Sequence, residues 1–321
     1  MKSNICYEPF KNLNIEIKRN KVKVSSCCLM ETHEVSELNY ANDSELNNIR
    51  DSWRSETPPI QCRACSESEA RFGTSRRIDR NQWFVDNGLD SEEINLVTLD
   101  FWVGDICNLR CAICGPHYSS AWQAELGIQN NSAINTAWKQ LDLKDIRFVH
   151  FNGGEPLLSK EHAQMLQAIP CKSKVCINYN TNASVRPDKS LLDLWSKFKL
   201  VKIDFSIDDI GARFEYQRFP AKWDSVVNNI NFFKDHCPTN CIFAVNTTLS
   251  ILNEKNIHRL KEWIDVDFKS NRLGDPVGHQ MQTVQGVLQT NSTQARQYLS
   301  ELDSRRGTNW QVTFPELVVS T

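Results

Sequence analysis

Three cysteines near the middle of the chain have a spacing that suits one inorganic centre. Cys107, Cys111 and Cys114 follow one another as C-x3-C-x2-C, directly after an apolar run. Three thiolates that converge on a [4Fe–4S] cluster leave one of its four irons open to an outside ligand. A closed zinc site would need a fourth nearby ligand, for which His117 is the nearest candidate. The motif predicts a metal centre, and its position after a strand favours the iron–sulfur cluster.

A second group of cysteines precedes this motif. It consists of Cys6, Cys27 or its neighbour Cys28, and the pair Cys62 and Cys65, which is spaced C-x2-C. Four thiolates suit either a structural zinc ion or a cluster whose irons all have protein ligands. A segment this small buries little core of its own, and metal ligation is a common way to stabilise one. The remaining cysteines are expected to be core thiols: Cys171, Cys176, Cys237 and Cys241.

Length and charge exclude several classes of protein. The chain has 321 residues and a formal net charge of −2, from 37 basic and 39 acidic residues. This balance argues against a protein that binds nucleic acid over a broad surface, because phosphate binding requires a basic excess. The apolar runs are far shorter than the ~20 residues of a membrane span, and the N-terminus lacks the apolar core of a signal peptide. We therefore expect a cytoplasmic protein whose cysteines serve as metal ligands or catalytic groups and form no disulfides.

Strands and helices alternate from about residue 95 onward. The apolar, β-branched runs predict strands at 97–104, 146–152, 174–180, 200–207, 241–249 and 279–286. Helices are predicted between and after them, at 119–126, 160–169, 189–198, 223–235, 254–264 and 294–302, with Asp188 and Asn253 as N-caps. Such alternation implies a parallel sheet. The predicted fold class is α/β, a partial (β/α)6 TIM-like barrel that binds its ligands at the carboxyl ends of the strands.

The first part of the chain has a different pattern. Residues 14–18 and 21–25 can pair as a hairpin around Arg19-Asn20, and a helix is predicted at 44–53. We predict two domains, a small N-terminal metal-binding domain at 1–92 and the partial barrel with a C-terminal extension at 93–321.

Polar motifs follow several of the predicted strands. Phe151-Asn-Gly-Gly-Glu-Pro156 ends the second strand, where two glycines allow close backbone approach. Asn180-Thr181-Asn182 ends the third, Ser206-Ile-Asp208-Asp209 ends the fourth with Arg218 beyond it, and Asn246-Thr247-Thr248 lies on the fifth. Each motif alone is also compatible with ordinary turns and strand-end hydrogen bonds.

The order of these motifs resembles the radical SAM superfamily. Its hallmark is the cysteine triad on the loop after the first barrel strand, followed by a GGEP motif. Ile113 and Asp209 stand where the family has an aromatic residue and a glycine. The resemblance implies that Cys107, Cys111 and Cys114 hold a [4Fe–4S] cluster whose open iron binds S-adenosyl-L-methionine (SAM). It also implies a SAM-binding set of Gly153, Gly154, Glu155, Asn180, Ser206, Asp208 and Arg218.

The N-terminal cysteines resemble the twitch/SPASM domain, which binds an auxiliary [4Fe–4S] cluster. The V-x-x-C spacing from Val24 favours Cys27 over Cys28, so the implied ligands are Cys6, Cys27, Cys62 and Cys65. In the better-known members this domain follows the barrel, whereas here it precedes it. A structural Cys₄ zinc site remains the alternative for the same residues.

The resemblance also implies an activity. Reductive cleavage of SAM would give a 5′-deoxyadenosyl radical that abstracts hydrogen from a substrate C–H bond, with a flavodoxin- or ferredoxin-type reductant. The expected enzyme oxidises or otherwise modifies a peptide or protein side chain. The alternatives are a dehydrogenase or rearrangement enzyme for a small molecule (aminocyclitol or nucleoside) and, outside the enzymes, a zinc-binding scaffold. Epimerisation would need a thiol hydrogen donor, for which Cys28 and Cys241 are candidates.

Overall fold

The computed structural model describes residues 5–18, 21–128, 134–268, 278–284 and 286–318. Its strands are β1 (Asn12–Lys18), β2 (Lys21–Ser25), β3 (His33–Val35), β4 (Thr98–Trp102), β5 (Phe148–Asn152), β6 (Cys176–Thr181), β7 (Leu200–Ser206), β8 (Cys241–Leu249) and β9 (Gly278–Thr283). Its helices are α1 (Glu8–Lys11), α2 (Ser44–Arg54), α3 (Arg63–Phe72), α4 (Arg76–Asp86), α5 (Ser120–Glu125), α6 (Glu161–Ala168), α7 (Lys189–Trp195), α8 (Gly211–Gln217), α9 (Trp223–His236), α10 (Ile257–Trp263), α11 (Thr293–Arg306) and α12 (Trp310–Thr313).

All nine strands of the described residues belong to one sheet, in the order β3-β2-β1-β4-β5-β6-β7-β8-β9. The strands from β4 to β9 pair in parallel, which confirms the predicted α/β class and the six predicted strands. β1 pairs in parallel with β4, with Asn14 opposite Asp100, and β2 and β3 extend the edge in antiparallel fashion. The N-terminal strands thus continue the sheet of the predicted barrel, and the boundary at residues 92 and 93 stays a prediction.

The two faces of the sheet differ in character because side chains alternate along a strand. On one face, Phe151, Ile177 and Ile203 are fully buried and belong to a core shared with buried side chains of α6, α7 and α9. On the other face the side chains of β5 and β6 are half-buried and, apart from Phe148, polar or small. Helices α6, α7 and α9 therefore pack on the apolar face, whereas α4 contacts the other face at Phe148 and Asp100.

Most of the predicted elements are confirmed with shifts of a few residues at their ends. The hairpin strands correspond to β1 and β2, although Arg19-Asn20 lies outside the described residues, as does Gln285 of the last predicted strand. Asp188 caps α7 by accepting from the N–H of Leu191 at 2.8 Å.

Asn253 stands at the predicted N-cap position, before the 3₁₀ turn Glu254–Asn256 that leads into α10, but its side chain does not cap that turn. Its Oδ1 accepts from the N–H of Ser250, which precedes it, and its Nδ2 donates to the carbonyl of Asp208. The side chain is therefore used to join the segments that leave β7 and β8.

Candidate functional site

The cysteine triad lies on the loop between β4 and α5, and this loop is bonded to the turn that leaves β5. The N–H of Gly154 donates to the carbonyl of Gly104 at 2.8 Å, and the N–H of Glu155 donates to that of Ile106 at 2.7 Å. These bonds continue the parallel pairing of β4 and β5 beyond the strands themselves. The GGEP turn therefore fixes where the triad loop begins.

Gly153 and Gly154 are required by this close approach. A Cβ on Gly154 would lie 2.3 Å from the carbonyl oxygen of Ile106, and one on Gly153, whose φ is +129°, would lie 2.7 Å from that of Gly104. Real Cβ atoms do not approach oxygen so closely, so a side chain at either position would displace the loop. We expected these glycines to allow the close approach of a ligand. In the structure they allow the close approach of the triad loop.

The side chain of Glu155 is turned into the protein. Its carboxylate accepts from the hydroxyl of Thr181 at 2.8 Å, the N–H of Asn182 at 2.7 Å and the N–H of Leu157 at 3.1 Å. Burial raises the pKa of Glu155 to about 7, and these neutral donors oppose the rise. Glu155 therefore ties the turn after β5 to the end of β6.

Asn182, at the end of β6, reaches the first cysteine. Its Nδ2 lies 3.8 Å from Sγ of Cys107 and donates to Oδ1 of Asn108 at 3.2 Å. The N–H of Leu109 lies 3.4 Å from the same sulfur. Donors of this kind stabilise a thiolate and tune the potential of a cluster bound to it. Our predicted site included Asn180 and omitted Asn182, although both belong to the same polar motif.

The other side of the triad loop is held by α5 and by the end of α8. The indole N–H of Trp122 donates to the carbonyl of Cys111 at 3.0 Å, and the hydroxyl of Ser119 donates to that of Leu109 at 2.6 Å. The N–H of Ala112 donates to the carbonyl of Gln217 at 2.7 Å. Most backbone groups between the three cysteines are therefore paired within the protein.

The C-terminal helix α11 also contacts this loop. The hydroxyl of Tyr298 donates to the carbonyl of Ala112 at 2.8 Å, between the second and third cysteines. Arg306 pairs with Glu125 at 3.3 Å, and its guanidinium lies 4.6 Å from the ring centre of Trp122. Sequence inspection gave no indication of these contacts.

The three thiols of the triad lie close together, with Cys111 buried and Cys107 and Cys114 half-buried. Burial raises the pKa of Cys107 to about 11 and those of Cys111 and Cys114 to about 12. A neighbouring thiol contributes to each rise: Cys114 acts on Cys107, Cys107 on Cys111, and Cys111 on Cys114. Thiols with such pKa values stay protonated at neutral pH unless a metal replaces the proton.

Arg218 brings a positive charge to the same place. It is buried at the end of α8, and its Nε lies 2.8 Å from Oδ2 of Asp208, while Oδ1 of Asp208 accepts from the N–H of Thr248. The charge of Arg218 opposes the rise in pKa of Cys111 and Cys114. Ser206, at the end of β7, is half-buried, with Asn246 of β8 opposite it in register.

Cys6, Cys27, Cys62 and Cys65 line one small cavity, which we call the N-terminal cysteine cavity, together with Trp53 and Arg77. Burial raises the pKa of Cys6 and of Cys27, and it raises that of Cys62 to about 11. Cys28 does not line this cavity and is exposed. The structure therefore brings together the four cysteines that the sequence singled out.

A buried ion cluster lies beside this cavity. Glu8, only 2% exposed, pairs with Arg76 at 2.8 Å and with Arg80 at 3.0 Å. Asn81 accepts from the N–H of Tyr7 and donates to the carbonyl of Ile5. Helix α4 thereby holds the segment that carries Cys6.

The other chemical candidates are spread over the molecule. Cys28 lies beside Arg76 and Asp100, at the edge of the polar face of the sheet. Cys241 is fully buried in the core on the opposite face of the sheet, and its role as a hydrogen donor stays a prediction. His117 is exposed. No three His, Cys, Asp or Glu side chains in the described part of the chain converge on a single-ion site.

Comparisons with known proteins give only distant matches. No protein-family model matches the chain, and no curated protein does. Twenty-nine solved chains match in structure.

One of these is native anSMEcpe with bound AdoMet, at TM-score 0.43 and 18% identity over 60% of this chain and 52% of that one. This chain thus spans about half the length of anSMEcpe. SuiB of Streptococcus suis, bound to S-adenosylmethionine, has TM-score 0.42 and 14% identity over 96% of this chain and 75% of that one. SuiB bound to the precursor peptide SuiA has TM-score 0.42 and 12% identity, over 98% of this chain and 75% of that one. All these TM-scores lie below 0.5, so the function has to be argued from the site itself.

None of the helices in the described residues combines the length and the apolar character that a membrane crossing requires.

Proposed function

We propose that this chain is a radical SAM enzyme that abstracts hydrogen from a substrate C–H bond. The observation that carries the proposal is the triad loop: three clustered thiols at the carboxyl edge of a parallel sheet, on a backbone that the rest of the protein holds in place. Ligands of βα folds bind at this edge of the sheet.

The donor set fits a [4Fe–4S] cluster. Three thiols supply three of the four ligands, and the donors at Leu109 and Asn182 are already directed at Cys107. A cluster bound there would supply the electron that cleaves SAM at its open iron. The residues proposed to bind SAM are Gly153, Gly154, Glu155, Asn180, Ser206, Asp208 and Arg218.

The proposed SAM-binding residues contribute in different ways. Gly153 and Gly154 allow the triad loop to approach the turn after β5 closely. Glu155 orients the end of β6, since its carboxylate is fully occupied by protein donors. Arg218 provides a cation close to the triad whose charge is partly balanced by Asp208, and such a guanidinium suits the carboxylate of SAM.

We also propose an auxiliary [4Fe–4S] cluster on Cys6, Cys27, Cys62 and Cys65. The shared cavity of these four thiols supports it. When all its irons have protein ligands, such a cluster can carry electrons and has no open position for a substrate. The proposed reaction is the oxidation or modification of a peptide or protein side chain, with a flavodoxin- or ferredoxin-type reductant, and a small-molecule substrate is the alternative.

Anaerobic purification and reconstitution tests this proposal. We expect about eight irons per chain and reductive cleavage of SAM to 5′-deoxyadenosine. Cys107→Ala should abolish the cleavage and retain about four irons. Cys62→Ala should lose about four irons and retain SAM cleavage, and the exposed Cys171→Ala serves as the matched control.

Zinc without iron would contradict the proposal and support the zinc-binding scaffold. Loss of SAM cleavage in a folded Cys62→Ala variant would contradict the division of roles between the two cysteine sites.

A further inference from the structure

The polar face of the sheet carries a row of side chains of which only Asn180 belongs to the proposed SAM-binding set. In the parallel register His150, Asn178 and Lys202 lie side by side on β5, β6 and β7. Asn180 and Asp204 form the next row, with Asn152 beside Asn180. We call these six side chains the polar trough. All except the buried Asp204 are half-buried, so a ligand can approach them from solvent.

The charged groups of the trough are already paired. Asp204, only 1% exposed, has Lys202 Nζ at 3.1 Å from its Oδ1 and accepts from Nδ2 of Asn178 at 3.0 Å. At the other end Asp100 lies 3.2 Å from Nδ1 of His150 and 3.5 Å from Arg76. Each carboxylate thus has a cation beside it, and the trough is balanced in charge.

Besides Oδ1 of Asp204, which has Lys202 as its counter-ion, three polar atoms of the trough have no hydrogen-bond partner among the residues that the structure describes. They are Nε2 of His150, Oδ1 of Asn178 and Oδ1 of Asn180, and each is buried. Asn178 must present its oxygen because its amide nitrogen faces the carboxylate of Asp204. Unpaired buried polar atoms destabilise a protein, so their presence in an open trough is explained when a ligand supplies the missing partners.

The chemistry of these atoms restricts the ligand. An apolar group would leave them unpaired, and a site built to hydrogen-bond discriminates strongly against analogues that lack the matching group. A charged group would enter a trough whose own charges are balanced, and would lose its hydration without gaining a counter-ion. The remaining class is neutral and both donates and accepts hydrogen bonds.

We propose that the polar trough binds a hydroxyl or carboxamide group of the substrate, next to the end of β6, where Asn182 contacts the cysteine triad. This inference rests on the proposed function in one respect, that the bound molecule is the substrate of the enzyme. Asn180 precedes Asn182, the residue that contacts Cys107, by two positions, which is about 7 Å along an extended strand. The hydroxyl could belong to a polyol and the carboxamide to a peptide side chain, and the test separates these sources.

Saturation-transfer NMR on the reconstituted, SAM-bound protein provides the test. The neutral probes are propionamide, which represents an amide side chain, and myo-inositol, which represents a polyol. Butanone has the shape of propionamide without its N–H groups, and propionate and propylammonium carry the two charges. We expect one or both neutral probes to bind at least about fivefold more tightly than the other three, as one neutral hydrogen bond implies.

Variants locate the binding. Asn178→Leu should weaken the preferred probe about fivefold and leave SAM binding unchanged, whereas Asn228→Leu on the exposed side of α9 should change neither. Asn178→Ser replaces Asn178→Leu if thermal unfolding shows that the leucine variant does not fold.

Several outcomes would overturn the inference: equal binding of butanone or of a charged probe, no binding of either neutral probe, or unchanged binding in the Asn178 variant. The iron content of the same samples keeps the two proposals apart. Selective binding of a neutral probe to protein that assembles no cluster would contradict the proposed function and retain the trough.

Discussion

The two cysteine sites of this protein are held by different forces. The triad loop is fixed by neutral hydrogen bonds to its own backbone, from Trp122, Ser119 and Tyr298. The N-terminal cysteine cavity is instead bordered by a buried ion cluster of Glu8, Arg76 and Arg80. A loop held at many backbone points tolerates little change in shape, whereas a site beside paired charges is most sensitive to loss of a charge.

The two buried glutamates make the contrast concrete. Glu8 and Glu155 are both 2% exposed. Glu8 faces two guanidinium groups, whereas Glu155 receives only neutral donors and its pKa rises to about 7. Similar burial thus leads to ion pairing near one cysteine site and to a proton-binding carboxyl group near the other.

The strongest test of this contrast is Gly154→Ala. The new Cβ would overlap the carbonyl of Ile106, so the triad loop must move. We expect loss of the triad iron, about four per chain, and of SAM cleavage, with the N-terminal iron retained. Iron analysis and 5′-deoxyadenosine assays measure this. Gly115→Ala, on the same loop but with open space around its Cβ, is the control, and full iron in both variants would contradict the requirement for close approach.

Glu8→Gln should show the opposite pattern. It removes the charge of the buried Glu8 carboxylate that pairs with the half-buried Arg76 and Arg80, and hydrogen bonds to charged groups contribute about 1.5–3 kcal/mol. We expect a lower unfolding free energy in urea and loss of iron from the N-terminal site, while the triad iron remains. The exposed pair of Arg63 and Glu67 supplies the control, and Glu67→Gln should change stability by less than about 1 kcal/mol. Equal effects of the two substitutions would show that the ion cluster is dispensable.

Glu155 should make the stability of the metal-free protein depend on pH. Its pKa is raised from 4.5 to about 7 in the folded state, so folding retains a proton that the unfolded chain releases within this window. The unfolding free energy should fall by about 3 kcal/mol as the pH rises from below 4.5 to above 7. Urea titrations at pH 5 and pH 7.5 measure this. In Glu155→Gln the decrease should disappear, and its persistence there would assign it to another group.

Tyr298→Phe should have the smallest effect, because it removes one neutral hydrogen bond, worth about 1 kcal/mol. We expect faster loss of the triad iron to a chelator, with stability changed by about 1 kcal/mol. Tyr118→Phe, at an exposed tyrosine after the same loop, should leave the rate unchanged. A rate in Tyr298→Phe equal to wild type would show that α11 packs beside the loop without fixing it.

The sequence predicted the sheet well because its strands carry a local pattern. β8 has the predicted bounds, Cys241–Leu249, since it begins with a continuous apolar run at 241–245. Helices α3 and α4 were not predicted. α3 has no buried residue and α4 has one, Phe84.

The site was predictable in residue type and less so in geometry. The spacing of Cys107, Cys111 and Cys114 identifies the triad without a structure. The contact of Tyr298 with Ala112 joins residues 186 positions apart and depends on tertiary packing. The inward direction of the Glu155 carboxylate likewise depends on where the end of β6 lies.

The parallel pairing of β1 with β4 has a consequence for any attempt to isolate the part of the chain that follows residue 92. β4 is flanked by β1 on one side and β5 on the other. A shortened chain that begins after residue 92 would leave one backbone ladder of β4 without its partner, an arrangement that promotes edge-to-edge association. The N-terminal segment therefore shields the strand from which the triad loop departs, and a chain without it should aggregate through the exposed edge of β4.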